Sequence, residues 1–245
     1  MPAKKKVAME GSIALLGFGE GGWGPSIASG VLVTVSLALA TLPVGLVIGF
    51  FVALGKQSPE PSVRLASNMY TTIFRGLPEL LTLFVVYFGA QIGIQKLAVL
   101  VGYTGTVEIN SFIAGMFALG VVFSSYASEV FLSSFRAIPK GQYEGGYAIG
   151  LSNGQTMRKV ILPQLIRIAL PGLANLWMIL LKDTALVSAI GLADILRQTG
   201  VAARVTKHAF LFFGTACMIY LVLAVVSSFF IDGIERWAAK SGVKR

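Results

Sequence analysis

The sequence predicts an all-α, polytopic membrane helix bundle of about five transmembrane helices, and three observations lead there. Of 245 residues, 55% are hydrophobic and only 13% are charged, against about 45–50% and about 25% in soluble domains. Mean hydropathy is +0.77, the mark of a chain whose solvent is lipid. Uncharged stretches approaching the ~20 residues that cross ~30 Å of hydrocarbon recur along the chain. These features exclude a disordered chain, a disulfide scaffold and an ordinary cytosolic enzyme.

The first 25 residues read as a flexible N-terminal tail ending near an interfacial Trp23. Lys4, Lys5 and Lys6 resemble a basic n-region, but Glu10 and the glycine-rich run 17–24 break the secretory pattern. Residues 27–54 carry no charge and form the clearest span. Residues 80–95 form the second, after the Arg75-Gly76-Leu77-Pro78-Glu79 break. The third covers 109–128 and runs on past Glu129. The fourth is interrupted: 168–181 is too short to cross alone and resumes after Lys182-Asp183 as 184–193. Residues 209–231 complete the set. The chain thus reads as one membrane domain over 26–240, with 241–245 a short C-terminal tail.

Five spans place the termini on opposite sides. The side holding the 55–79 and 133–167 connections and the C-terminal tail carries 12 Lys and Arg residues, and the other carries 8. The positive-inside rule then puts the N-terminus out and the C-terminus in the cytoplasm. The net charge of +9 is read as cytoplasmic loops facing anionic lipid, with no role for nucleic acid.

The 133–167 connection is long for a link between membrane helices and needs a purpose. Pro139 stops one helix or opens the next, Glu144 suits a helix start, and Gly145, Gly146 and Gly150 allow close backbone approach. Taken alone, this describes a short helical turn shaped to sit in a groove on a partner.

Glu144-Gly145-Gly146, three residues, Gly150, nine residues, then Val160-Ile161-Leu162-Pro163 resembles the EAA loop of ABC importer permeases, whose signature is Glu-Ala-Ala, three residues, Gly, nine residues, Ile-x-Leu-Pro. Every spacing matches. The departures are Gly145 and Gly146 for the two alanines and Val160 for isoleucine. Each such glycine costs about 1 kcal/mol of helix propensity, so the loop helix is expected to be less rigid. Together with Arg75-Gly76-Leu77-Pro78 and the run 182–188, the chain over roughly 26–240 resembles the polar amino-acid permeases, nearest the histidine, lysine/arginine and opine branch. The resemblance implies a bacterial inner-membrane importer subunit, in which Glu144, Gly145, Gly146, Gly150, Leu151 and Ser152 form the coupling helix that docks on a cytoplasmic ABC ATPase dimer. It also implies a second permease subunit, homologous or identical, and a periplasmic or surface solute-binding protein. The substrate would be a polar or basic amino acid or an opine.

No cofactor is expected in the chain itself. Gly55-Lys56-Gln57 lacks the spacing of a phosphate-binding loop, so ATP-Mg belongs on the partner ATPase. No catalytic set can be assembled, because Cys217 and His208 are each unique. Cys217 reads as a small buried filler, and His208 as an interfacial residue at the start of span five. Asp183, Asp194 and Asp232 form no metal cluster.

Charges at membrane depth are the substrate candidates. Glu129 and Asp183 offer acceptors for an ammonium group, and Lys182 a donor for a carboxylate. The family's substrate-contacting segment includes the position matched by Lys182, Asp183 and Thr184. Alternatively, Glu129 snorkels or caps at the interface and Lys182-Asp183 is an ordinary helix end. Two rival classes are a passive channel and an intramembrane lipid-modifying enzyme. Gly45 and Gly49 form a Gly-x3-Gly that could pack a second helix.

Overall fold

The computed structural model describes residues 14–240 apart from 104. Most of its described residues are helical and none is in a strand, and five segments are long and apolar enough to cross a membrane. The predicted class and span count hold. Helix α1 is Gly24–Lys56, α2 Pro61–Gly76, α3 Glu79–Leu100 and α4 Ser111–Ala137. They are followed by α5 Lys140–Ala148, the single turn α6 Asn153–Thr156 and a π turn Met157–Ile161. Helix α7 is Leu162–Asp183, continuing into a 3-10 segment Thr184–Ile190; α8 is Ile195–Thr206 and α9 Ala209–Lys240.

Two helices were not expected. Helix α2 lies inside the 55–79 connection: Pro61 sets its first turn, and Leu77 is extended ahead of Pro78, as a residue before proline must be. Helix α8 starts where the Asp194 carboxylate accepts the Arg197 amide at 2.9 Å and stops at Lys207, which is left-handed with φ 63°. Both are amphipathic, so neither shows in a search for long apolar runs.

The chain divides into two compact units. The first comprises Met1–Ala40, Leu83–Ala118 and Leu181–Val225. Its core gathers Ile27, Ala202, Ala203 and Phe212, with Leu15, Leu16 and Trp23 packed on them. Trp23 meets Phe212 edge-on at 6.4 Å. This corrects the flexible tail: residues 14–23 are folded onto α1, α8 and α9, held by amides of Trp23 and Gly24 donating to Leu15 and Gly17. Residues 1–13 and 241–245 lie outside the described residues, as does the Lys4–Lys6 cluster. Within this unit Gln91 and Gln95, one helical turn apart on α3, grip the connection to α4. Gln95 donates to the Gly105 carbonyl at 2.9 Å and accepts from the Val107 amide at 2.7 Å. Gln91 donates to the Val107 carbonyl and accepts from the Ile109 amide at 2.9 Å. The polar residues of span two therefore complete backbone groups that lipid could not satisfy.

The second unit comprises Thr41–Thr82, Leu119–Leu180 and Val226–Arg245. Here α1 crosses α4 at Gly45 and Gly49. A Cβ on Gly45 would sit 2.4 Å from the Phe123 ring, and one on Gly49 2.9 Å from the Ser124 carbonyl oxygen, so the Gly-x3-Gly packs a helix as expected. Phe50 then wedges against Phe131 at 5.6 Å and Phe135 at 6.1 Å.

Cys217 corrects another expectation, because it is exposed on α9 rather than buried. A span surrounded by lipid shows small and large apolar residues on its outer face alike. His208 stands immediately before α9, and its carbonyl accepts the Phe212 amide in the first turn.

Candidate functional site

The residues expected to form the coupling loop fold as a compact helix-turn-helix within the second unit. Helix α4 ends at Ala137 and Pro139 caps α5. Helix α5 closes at Gly150, whose φ of +81° is the left-handed conformation that glycine accepts without cost. Its amide and that of Leu151 donate to the Tyr147 and Gly146 carbonyls. Ser152 then opens α6 with a capping box: its hydroxyl accepts the Gln155 amide at 3.4 Å while the Gln155 side chain accepts the Ser152 amide at 3.0 Å. Glu144 sits mid-helix and exposed, not at the helix start its residue type suggested.

The two glycines replacing alanine are not equivalent. Nothing lies within 4 Å of a Cβ added to Gly145. Gly146 is buried, and a Cβ there would meet Thr156 at 2.6 Å from Cγ2 and 2.8 Å from Oγ1. Thr156 is itself buried and branched, so it has little room to turn away. Gly146 and Thr156 thus fit one another, and the second departure from the signature is a packing match between α5 and α6. Outward, Tyr147 is 46% and Ile149 75% exposed, an apolar edge on an otherwise polar loop.

The same unit holds the charged cluster. Lys56, at the end of α1, has a side chain only 4% exposed and bonds Glu129 Oε1 through Nζ at 2.5 Å. Arg75, at the end of α2, reaches the same oxygen at 3.2 Å and lies 5.5 Å over the Tyr126 ring. Beside it the Tyr70 hydroxyl is 2.6 Å from the Ser124 hydroxyl, and burial raises the pKa of that phenol. Glu129 is thus already engaged by two cations that tie α1 and α2 to α4. Lys56 and Arg75 were not singled out as its partners; the only signal was that opposite charges at membrane depth must find each other.

Lys182, Asp183 and Thr184 lie in the first unit, at the predicted break: α7 ends at Asp183 and tightens into the 3-10 segment. They do not form one cluster of like exposure. Lys182 is exposed and Asp183 half-buried, whereas Thr184 is fully buried and its hydroxyl donates to the Leu181 carbonyl at 2.7 Å. The 3-10 segment ends at Gly191, left-handed with φ 92°.

A residue that sequence reasoning considered only as a metal ligand emerges just beyond. Asp194 is wholly buried. Its Oδ1 caps α8, while Oδ2 has no hydrogen-bond partner among the described residues. Burial pushes the carboxyl up to about 6, against the opposing pull of the Arg197 and Leu196 amides and the Arg197 charge. Thr34 on α1 accepts the Ile195 amide at 3.3 Å, and the buried Tyr220 hydroxyl lies beside Thr34, Thr184 and Asp194. Gly30 lets α1 pass this point, since a Cβ there would be 2.9 Å from the Asp194 carbonyl oxygen.

A five-span bundle with a structured helical loop ahead of its fourth span is the architecture expected of a transport permease. Residues 45–240 match the family described as binding-protein-dependent transport system inner membrane component, and the chain belongs to that family: it is a membrane-spanning permease subunit of an ABC import system. It is 39% identical to the nopaline transport system permease protein NocQ of Agrobacterium fabrum, over 92% of this chain and 96% of that one. It is 36% identical to the histidine/lysine/arginine/ornithine transport system permease protein HisQ of Escherichia coli, over 91% and 97%. Among solved structures, a crystal structure of an amino acid ABC transporter with histidines aligns with TM-score 0.73 and 31% identity, covering 87% of this chain and 94% of that one. The MetNI methionine ABC transporter shares the fold, with TM-score 0.69 at 20% identity over 87% and 96%.

Proposed function

We propose that this permease carries a polar or basic amino acid or an opine inward, driven by ATP hydrolysed on a separate ABC ATPase dimer docked against α5. The relatives' names support the substrate class. The observation that carries the docking is the exposed edge of α5: Glu144, Gly145, Tyr147 and Ile149 face outward while Gly146 is locked against Thr156. An exposed isoleucine and tyrosine beside a carboxylate suit a groove on a partner far better than open water. Gly150, Leu151 and Ser152 fix the turn that presents this edge. In this reading the N-terminus is outside and the C-terminus cytoplasmic, as the 12-to-8 distribution of Lys and Arg favours. A second permease subunit completes the path, and a solute-binding protein delivers substrate.

On the substrate side, the exposed Lys182 ammonium offers a donor to a carboxylate and Asp183 an acceptor, at a helix break of the kind that lines transporter cavities. Thr184, with its hydroxyl turned onto Leu181, shapes the break. Glu129 contributes by holding Lys56 and Arg75 in place.

The test is purification of the tagged chain from its own membrane in mild detergent, with mass spectrometry of what accompanies it. Recovery of a P-loop ATPase, lost when residues 144–152 are scrambled, supports the proposal. A stable complex with no ATPase would sink it and bring a channel forward.

A further inference from the structure

Between α7 and α9 in the second unit lies a cavity of about 390 Å³ lined by Arg167, Leu170, Pro171, Glu235, Arg236 and Ala238. Its two arginines sit at matching levels: Arg167 immediately precedes the apolar run of 168–181, and Arg236 closes the apolar span Ala209–Arg236. Both are therefore at the boundary where hydrocarbon gives way to headgroups, on the side of the coupling loop. Among the described residues neither guanidinium makes a hydrogen bond or ion pair, and Glu235 makes none either. Two exposed cations and one carboxylate around one cavity leave a net charge of +1, which favours an anion there over a cation.

Pro171 adds a second requirement. It lies inside α7 and has no N–H, so the Arg167 carbonyl loses the amide that would normally donate to it. The cavity's lining thus includes two guanidinium forks and the Glu235 carboxylate, with Pro171 leaving the Arg167 carbonyl without its helical donor. A phosphodiester fits the forks, which match its oxygens in bidentate fashion. A neighbouring hydroxyl on the same ligand fits the acceptors. The apolar wall of Leu170 and Pro171, with Phe230 and Ile234 exposed further along α9, suits an acyl chain.

We infer that this cavity is a binding site for an anionic glycerophospholipid, with the phosphate between Arg167 and Arg236 and the headgroup hydroxyls toward Glu235 and the Arg167 carbonyl. Basic pockets between membrane helices are where anionic headgroups are held. Because the site joins α7, which follows the coupling loop, to α9, a bound lipid would pin the two helices together there.

The experiment uses the full chain purified with whatever subunits accompany it. The complex is delipidated, then offered phosphatidylglycerol, phosphatidylethanolamine or inorganic phosphate, and retained adducts are counted by native mass spectrometry. The wild type should retain phosphatidylglycerol about tenfold over phosphatidylethanolamine. Arg167→Gln with Arg236→Gln should abolish that preference while the complex stays monodisperse. Equal retention of the two lipids by the wild type overturns the inference without any variant. So does undiminished phosphatidylglycerol on the double variant. Displacement of the lipid by millimolar inorganic phosphate would show a soluble-anion site and overturn the lipid assignment.

Discussion

The two units each hide a carboxylate, and they treat it in opposite ways. Glu129 is partly exposed and is met by Lys56 and Arg75 through one oxygen. Asp194 is wholly buried and meets no cation in an ion pair among the described residues; one oxygen caps a helix and the other has no partner. The first arrangement keeps a charge by pairing it, which holds only while both signs are present. The second makes the carboxyl easier to protonate, because desolvation removes much of the preference for the anion. A buried or half-buried carboxylate therefore says little by itself about substrate: its partners decide whether it ties helices together or takes up a proton.

The sharpest way to break this comparison is Glu129→Gln, which leaves the nearly buried Lys56 ammonium without its counter-ion. A loss of about 3 kcal/mol is expected, read as a large drop in thermal stability in detergent. Lys56→Met combined with Glu129→Gln should recover much of it, since no orphan charge remains. A double variant no more stable than the single would show that the pair does not act as a unit.

Asp194→Asn comes next. Asparagine can still cap α8 but cannot titrate. With its folded pKa raised from 3.8 to about 6, Asp194 binds a proton more readily folded than unfolded. Its contribution to stability is thus full below pH 4 and lost as pH rises through 6, by about 2–3 kcal/mol. Melting temperature against pH should fall over that window in the wild type, and that component should vanish in Asp194→Asn. An identical slope in both proteins would refute the assignment.

The segment 140–156 repeats the contrast in packing. Gly146→Ala must push into Thr156 and should cost about 2 kcal/mol, whereas Gly145→Ala meets open space and should gain about 1 kcal/mol in helix propensity. Unfolding monitored on the two variants checks the pair, and equal effects would undo the distinction. The smallest effect belongs to Arg75→Gln: its partly exposed contact with Glu129 should be worth at most ~1 kcal/mol and should weaken further with added salt.

Much of this was legible in the chain. The spans, the loop spacing, the break at Lys182-Asp183 and the Gly45–Gly49 crossing all follow from local pattern: run length, fixed offsets, charge interrupting apolar sequence. What escaped depends on partners far away in sequence. Lys56 and Glu129 are 73 positions apart, and no periodicity joins them. Gly146 looked like a loss of helix propensity because its reason, Thr156, belongs to the next turn. Helices α2 and α8 went unseen since apolar-run counting is blind to amphipathic segments, and Cys217 was misread because in lipid the outside of a helix is apolar too.

The grip of Gln91 and Gln95 on residues 105–109 bears on how the protein is made. These two side chains form what amounts to a short strand edge built on a helix. The peptide groups that need it come later in the chain, so during synthesis the edge is in place before its occupant emerges. Residues 105–109 can shed their water only once α3 has been laid down, and the amides of Val107 and Ile109 then gain shelter outside any helix. The link between α3 and α4 is thus held by side chains of the earlier span, which stand in for the partner strand it lacks.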